Sequence, residues 1–285
     1  MKKTVFLYLI FVMVFLFSCS SAPKNQGDIN TLRSQAEGWL KAGNSEAGQG
    51  KFTNALTILT EAKRNAILAD DLSLIIRICF SRGNVLLSLG RTNEAFAEWN
   101  QAISDANKSG NSELISVSRI FLARGNLLSA RADAQTVLNE VNRESANIKT
   151  NKLYIAFSWQ AKGLALRALG SFQQAEDAFR RSLEIHEKEK NLENVSYDWY
   201  TIASIRSLSG NTQGALQALE SSIKIDRRIE NSWGLAASYR AMGDVYSKTN
   251  RQSDAAIAYR RAASIYRAMG NEHEASETEK RIKND

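Results

Sequence analysis

Small residues recur at intervals of 40 positions along most of this 285-residue chain. The six positions are Gly43, Gly83, Ala123, Gly163, Ala203 and Gly243. Residues suited to ending a helix follow seven positions later, at Gly50, Gly90, Ala130, Gly170, Gly210 and Asn250. A fixed period of this length is typical of repeat proteins, in which no single repeat buries its apolar face alone. The chain is therefore expected to form one stack of repeats rather than two separate domains.

The chain contains one proline, Pro23, and the 262 residues that follow it contain none. Proline interrupts helices and is common in the turns of β-proteins, so its absence favours helix throughout. Apolar residues at 44% and charged residues at 24% are typical of a folded chain. We therefore predict an all-α fold, which excludes most enzyme folds built on β-sheets.

Other positions of the 40-residue frame keep their character from copy to copy. Alanine and then a bulky apolar residue follow each turn, at Ala55/Leu59, Ala95/Trp99, Ala175/Phe179, Ala215/Leu219 and Ala255/Tyr259, with a one-residue shift in the third copy to Ala134/Leu138. Aromatic residues expected in the core open the frame at Trp39, Trp159, Trp199 and Tyr239. Helix-capping residues recur at Asp71, Asn111, Asn151, Asn191, Asn231 and Asn271. Glycine within a helix costs about 1 kcal/mol relative to alanine, so the mid-helix glycines predict a close helix approach there.

This order of residues resembles the tetratricopeptide repeat (TPR), most recognisably in the sequence LLSLGRTNEA at 86–95. The 40-residue period resembles the lengthened variant of kinesin-light-chain-like scaffold proteins. The resemblance covers about residues 31–285 and implies a right-handed solenoid of six helix-turn-helix repeats over 31–271, closed by a capping helix over 272–285. It also implies that the first helix of each repeat lines a concave, protein-binding face.

Candidate binding residues follow from that implied geometry. They are Arg77, Phe80, Asn84, Arg124, Phe157, Gln160, Tyr197 and Tyr200. Tyrosine and phenylalanine are typical anchors of protein interfaces, and arginine and asparagine suit a carboxylate or backbone carbonyls. The alternative is that these aromatic side chains pack between adjacent helices.

The N-terminus has the pattern of an export signal. An apolar run of thirteen residues follows Lys2, Lys3 and Thr4, which suits a signal peptide and is too short for a membrane span. Residues 16–19, LFSC, resemble the lipobox of bacterial lipoproteins, which implies a signal peptide over 1–18 and acylation of Cys19, with chains such as palmitate. Residues 19–30 then form a flexible tether. The alternative is an ordinary secretory signal that ends near Ala22, with Cys19 removed.

Charge and chemistry exclude several function classes. The net charge is +7, or +5 without Lys2 and Lys3, and the basic residues are not clustered, so no nucleic-acid partner is expected. His186 and His273 lie in different repeats, and Cys79 lies in an aromatic slot of the frame. We therefore expect no catalytic site, no metal and no cofactor.

Together these features predict an acylated scaffold that mediates protein–protein interactions in the bacterial cell envelope, as an assembly or transport accessory factor. Ser20 resembles the residue of lipoproteins sorted to the outer membrane, which favours its periplasmic face. The alternative function is a periplasmic ligand-binding protein that works with a solute transporter. The sequence leaves open the partner, the choice of inner or outer membrane, and the oligomeric state.

Overall fold

The computed structural model describes residues 26–282, which contain thirteen α-helices and no β-strand. The helices are α1 Gln26–Gly48, α2 Phe52–Leu68, α3 Leu72–Ser88, α4 Thr92–Ser109, α5 Ser112–Leu128, α6 Ala134–Ser145, α7 Lys152–Ala168, α8 Phe172–Lys188, α9 Leu192–Leu208, α10 Thr212–Arg228, α11 Ser232–Lys248, α12 Gln252–Ala268 and α13 Glu272–Glu279. Helices adjacent in sequence pack against each other along the chain. The prediction of an all-α solenoid of helix pairs is confirmed for this range.

The turns form as the repeated cap and glycine positions indicate. The side chain of Asp71 accepts a hydrogen bond from the backbone N–H of Leu74, and Asn151 accepts from Tyr154 in the same way. These bonds satisfy free N–H groups at the start of α3 and α7. Gly90 and Gly170 adopt left-handed backbone angles, with φ of 73° and 75°, just after α3 and α7. Glycine adopts this conformation without steric cost, which explains its place at the turns.

The mid-helix glycines lie where a neighbouring helix approaches closely. A methyl carbon added at Gly83 of α3 would overlap the indole of Trp99 on α4, and one at Gly163 would lie 2.5 Å from the ring of Phe179. The close approach expected from the sequence is therefore confirmed. Trp99 is fully buried, and its far edge lies against Gly125 of α5, so two glycines enclose this indole.

The third repeat departs from the regular pattern. Its second helix, α6, has 12 residues, whereas α8, α10 and α12 each have 17. Val137 and Val141 are the buried apolar residues of α6, Glu144 is buried as well, and Leu138 is only half-buried. The predicted bulky position at Leu138 is thus wrong, because Asp133 caps α6 and its late start turns a different face toward the core.

The two ends differ from the predicted boundaries. Helix α1 begins at Gln26, so residues 26–30 of the predicted tether are helical, as expected when a formed helix extends by one hydrogen bond per residue. Cys19, the predicted signal peptide and the remainder of the tether lie outside the described residues. At the other end, α13 has eight residues and is followed by turns up to 282. Within 26–282, no helix is both long and apolar enough to cross a membrane.

Trp39 does not lie in the core. Its side chain is 37% exposed, so that prediction is wrong. Trp159 and Trp199, at the same position of later repeats, are partly buried against the core. Helix α1 begins the described stack, and among the described residues no preceding helix pair covers its outer face.

The first repeat also touches the last one, which a purely linear stack would not allow. The ring of Phe52 on α2 meets Trp233 on α11 edge to face, with ring centroids 4.9 Å apart. Trp233 in turn meets Tyr266 of α12 at 5.4 Å, and a methyl carbon added at Gly50 would lie 3.0 Å from the sulfur of Met269. We call this set, Phe52, Trp233, Tyr266 and Met269, the closing contact. It brings the two ends of the stack together around a central space.

Candidate ligand-binding channel

The central space is a channel of about 480 Å³. Its wall comes mainly from five first helices, α1, α3, α5, α7 and α9, and from the turn between α10 and α11. Seven of the eight candidate residues line this central channel: Arg77, Phe80, Asn84, Arg124, Phe157, Gln160 and Tyr197. Tyr200 does not, because it lines a separate pocket of about 150 Å³ between α9 and α11. The sequence frame therefore brings together residues that are far apart in the chain.

Three phenylalanine rings form a continuous stack along the channel wall. The centroids of Phe80 and Phe121 are 3.7 Å apart with planes 9° from parallel, and those of Phe121 and Phe157 are 3.8 Å apart at 11°. The 40-residue frame assigned Ile120 to this row, but Ile120 is fully buried in the core. Phe121 was missed because it lies one residue beyond the frame position, in a helix whose Gly125 also contacts Trp99 of the preceding repeat. The stack offers a flat apolar surface spanning three repeats.

Arg124 places a positive charge beside this stack. Its Nη1 donates to the side-chain oxygen of Asn84 at 3.4 Å, and its guanidinium lies 5.9 Å from the ring centroid of Phe157. Its Nε is buried without a hydrogen-bond partner, and among the described residues no carboxylate pairs with it. A buried donor without a partner is costly, and a guanidinium has no acceptor function of its own. The arrangement suits a ligand that brings carbonyl or carboxylate oxygens.

Gln160 belongs to a buried network behind the wall. Its amide donates to Asp198 at 2.8 Å, and the other carboxylate oxygen of Asp198 lies 2.8 Å from His186 Nδ1 and accepts from Ser182 at 3.0 Å. Gln160, His186 and Asp198 are each at most 3% exposed. Since the Gln160 amide is occupied by this network, its main role is to hold the wall rather than to bind a ligand.

The two tyrosines differ in setting. Tyr197 is half-buried in the channel wall, and its ring lies 6.3 Å from that of Phe179. Burial raises the pKa of Tyr200, which lies outside the channel. Tyr197 is thus available to a ligand in the channel and Tyr200 is not.

Charges from opposite sides of the ring meet at the channel. Glu193, at the start of α9, lines the channel, and Lys41 of α1 interacts with it electrostatically. Although the Glu193 side chain keeps access to solvent, the surrounding protein wall raises its pKa, and Lys41 opposes that shift. Lys41 of the first repeat therefore interacts with Glu193 of the fifth, while the closing contact joins the first repeat to the sixth.

Two observations concern metal ligands and the free thiol in the described range. Over residues 26–282, no three His, Cys, Asp or Glu side chains lie close enough to hold a metal ion. Cys79 is fully buried, and burial raises its pKa to about 12, so its thiol stays protonated. A protonated, inaccessible thiol is a poor nucleophile.

Comparison with known proteins identifies the repeats. A family model described as tetratricopeptide repeat matches residues 154–228 and 195–268. The sequence finds no significant match among curated proteins. The solved structures described below are 14–18% identical to this chain, so the likeness concerns the fold alone.

Three of these structures cover most of the chain. A Rap protein complexed with Competence and Sporulation Factor is 15% identical over 87% of this chain and 74% of that one, with a TM-score of 0.58. A signal-transduction ATPase with a tetratricopeptide repeat sensor from Pyrococcus horikoshii is 14% identical over 92% of this chain and 44% of that one, with a TM-score of 0.60. A putative kinesin light chain from Podosopora anserina is 18% identical over 68% of this chain and 96% of that one, with a TM-score of 0.50. Residues 154–268 thus match the tetratricopeptide repeat, and the described chain has the fold of a TPR solenoid.

Proposed function

We propose that this protein is a lipid-anchored scaffold of the bacterial cell envelope that captures a segment of another protein in its central channel. TPR solenoids generally mediate protein–protein interactions. The observation that carries the proposal is the stack of Phe80, Phe121 and Phe157 beside Arg124, whose guanidinium has no counter-ion among the described residues. Apolar surface next to an unsatisfied donor is the combination that an amphipathic peptide segment would complete.

The geometry sets the kind of segment that fits. A channel of about 480 Å³ accepts a few side chains at a time and excludes a folded domain. An apolar side chain of the segment would lie on the phenylalanine stack, while Arg124 and Asn84 would bind its carbonyl or carboxylate oxygens. The ordered wall, held by Gln160 and Asp198, reduces the entropy lost on binding.

The anchor rests on the sequence alone. Acylation of Cys19 would fix the solenoid to a membrane, because two or three acyl chains give durable binding where one is marginal. A short tether before α1 would hold the channel near partners in the same membrane and raise their local concentration. The residue that follows the cysteine, Ser20, favours the periplasmic face of the outer membrane.

Two tyrosines supply a matched test of segment capture. Full-length protein would be purified from envelope extracts with its bound partners as wild type and as the Tyr197→Ala, Arg124→Ala and Tyr200→Ala variants. We expect partners to be lost with Tyr197→Ala and with Arg124→Ala, and retained with Tyr200→Ala, because only the first two positions line the channel. Equal retention by all variants contradicts capture in the channel.

The anchor needs its own measurement. Cells that express the full-length protein would be labelled with a clickable fatty acid, alongside the Cys19→Ser variant. Label that disappears in the variant supports acylation at Cys19. A variant that stays fully labelled contradicts it.

The closing contact favours a second candidate, the binding of a small molecule. A channel of this volume is within the range of small-ligand sites, about 300–1,000 Å³. In that case a solute, rather than a polypeptide, would be recovered by mass spectrometry of the purified protein. It would be lost in the same Arg124→Ala variant.

A further inference from the structure

A second cavity, of about 360 Å³, lies between α6 and α7, away from the channel residues described above. It exists because α6 is short. In the repeat frame, α8 and α10 correspond to positions 132–148 of the third repeat, but α6 ends at Ser145. The cavity therefore lies beside the place where the last turn of a full-length second helix would pack.

The floor of this α6–α7 cleft is apolar. Ile148 is buried, Ile155 and Trp159 are half-buried, and Ala146 lies at the rim. The hydroxyl of Ser158, which also lines the cleft, is already occupied because it donates to the carbonyl of Tyr154 at 2.8 Å. Little polar capacity remains on the floor, so an apolar group would be its favourable occupant.

The chain beside the cleft is firmly held. One carboxylate oxygen of Glu113 accepts hydrogen bonds from the backbone N–H groups of Lys149 and Thr150 at 2.7 and 2.6 Å, and the other accepts from the Thr150 hydroxyl at 2.9 Å. The backbone hydrogen bond from Lys149 and those from Thr150 keep the pKa of Glu113 below its usual range. The segment between α6 and α7 is thus fixed at neutral pH, and the cleft is preformed.

Two cationic side chains lie near the indole ring of Trp159. The amine of Lys162 lies 5.3 Å, and the guanidinium of Arg181 lies 4.5 Å, from the Trp159 ring centroid. Neither cation forms an ion pair or a hydrogen bond with any residue of the described chain, whereas Arg180 next in sequence is bound to Glu176. Lys162 also lines the cleft directly. The apolar floor of the cleft thus lies beside Lys162, and Arg181 of α8 adds a second positive charge at the same indole. Positive charge without counter-ions next to an apolar floor is complementary to an anion that bears an aliphatic chain.

The sixth repeat provides an internal comparison. Arg261 lies over Tyr239 at 5.5 Å, at the positions that correspond to Arg181 and Trp159. There the preceding second helix, α10, is full length, and Arg227 from its last turn lies over the same ring and donates to the Tyr239 hydroxyl. The equivalent position in the third repeat is Asn147, beyond the end of α6. The cleft is a consequence of that missing turn.

We propose that the α6–α7 cleft is a binding site for a medium-chain aliphatic carboxylate, with the chain against Ile148, Ile155 and Trp159 and the carboxylate at Lys162 and Arg181. Its source would be a free fatty acid, because an acyl chain esterified in a membrane lipid carries no carboxylate. The site is separate from the central channel and does not depend on segment capture there.

The test uses photoreactive decanoate bearing a diazirine near the end of its chain. Full-length protein in phospholipid nanodiscs would be irradiated with this probe, and the labelled peptides would be identified by mass spectrometry. We expect label on residues 146–162, displaced by excess decanoate but not by decanol. Lys162→Glu should reduce this label about tenfold, as loss of a charge-assisted contact does, and Arg261→Glu, the matched control, should leave it unchanged.

A second variant guards against a folding defect. Ala146→Phe fills the rim of the cleft without changing its charge, and it should also abolish labelling while helicity by circular dichroism is kept. Label that persists in both variants, or that decanol displaces equally well, overturns the proposal. A diazirine-bearing phospholipid that labels the same peptide more strongly than the free acid would show that the cleft takes an esterified chain and would also overturn the proposal.

Discussion

The two halves of the solenoid treat buried carboxylates in opposite ways. In residues 26–148, buried Asp105 and Glu144 each pair with a Lys or Arg side chain, at 2.8 and 3.2 Å. In residues 152–282, buried Asp198 is bonded to histidine, serine and glutamine, and Asp226 to serine and asparagine. Among the described residues neither of these two has a Lys or Arg partner.

The contrast extends to packing. The N-terminal half encloses the indole of Trp99 between Gly83 and Gly125 and has an irregular third repeat. The C-terminal half keeps regular helices and contains the stretch that matches the family model. The same fold is therefore reached by shape complementarity and ion pairs in one half. In the other it is reached by regular geometry, with buried carboxylates bonded to histidine, serine, glutamine and asparagine. Substitutions in the two halves should therefore have different effects on stability.

The largest expected effect is that of Trp99→Ala. Removing a fully buried indole leaves a cavity that two glycines cannot fill, and such changes cost about 3–5 kcal/mol. We expect the variant to begin unfolding at a lower urea concentration than the wild-type protein. Hydrogen exchange should show residues 52–128 losing protection before residues 172–268. Simultaneous loss of protection in both halves would mean that they form one cooperative unit.

Glu144→Gln should have the next largest effect. Burial opposes ionisation of Glu144, but hydrogen bonds from Ser116 and Arg119 outweigh it and lower its pKa. A lowered folded-state pKa means that ionised Glu144 stabilises the protein above its unfolded pKa and that this contribution disappears as pH falls. We expect a loss of about 2–3 kcal/mol at pH 7 that shrinks toward pH 4 in urea titrations. A loss independent of pH would contradict the ion-pair account.

Trp233→Ala should weaken the link between the halves. The indole is half-buried against Phe52 and Tyr266, so its removal should cost about 1–2 kcal/mol. Small-angle scattering should show a larger radius of gyration. Trp159→Ala is a matched control, since Trp159 lies outside the closing contact and its loss should leave the radius unchanged.

Asp226→Asn should have the smallest effect and the opposite pH dependence. Burial raises the Asp226 pKa, and hydrogen bonds from serine and asparagine oppose that shift only in part. A raised folded-state pKa means that the folded protein binds more protons, so wild-type stability falls as pH rises from about 4 through the folded pKa. The free energy of unfolding of the variant should be within about 1 kcal/mol of the wild-type value at pH 4.5 and should increase relative to wild type at pH 7.5. Urea titrations at these two pH values measure the sign of the stability difference. A variant that becomes less stable relative to wild type as pH rises would mean that Asp226, like Glu144, stabilises the protein in its ionised form.

Local signals predicted much of this fold. The 40-residue period predicted the helix pairs, and the mid-helix glycines predicted the close approach of Gly83 to Trp99 and of Gly163 to Phe179. The same frame brought seven of eight candidate residues to the channel wall. These features depend on neighbours within one or two repeats, which a sequence period records directly.

Features that depend on departures from the period were missed. Phe121, one residue beyond the frame position, joins the channel stack, and the cleft beside Trp159 opens because α6 is short. The closing contact was missed for a different reason. It depends on the sum of small rotations between successive repeats, and Trp233 lies outside the frame.

The central claim is that the two ends of the stack meet and enclose the channel. Crosslinking tests it most directly, in full-length protein with Cys19→Ser and with Thr53→Cys and Ala268→Cys, two exposed positions that flank the closing contact. The native Cys79 is fully buried and should not react. We predict a rapid intramolecular crosslink by a short bis-maleimide, and none for the control pair Thr53→Cys and Thr150→Cys. Folded protein in which the first pair reacts no faster than the control would contradict a closed channel.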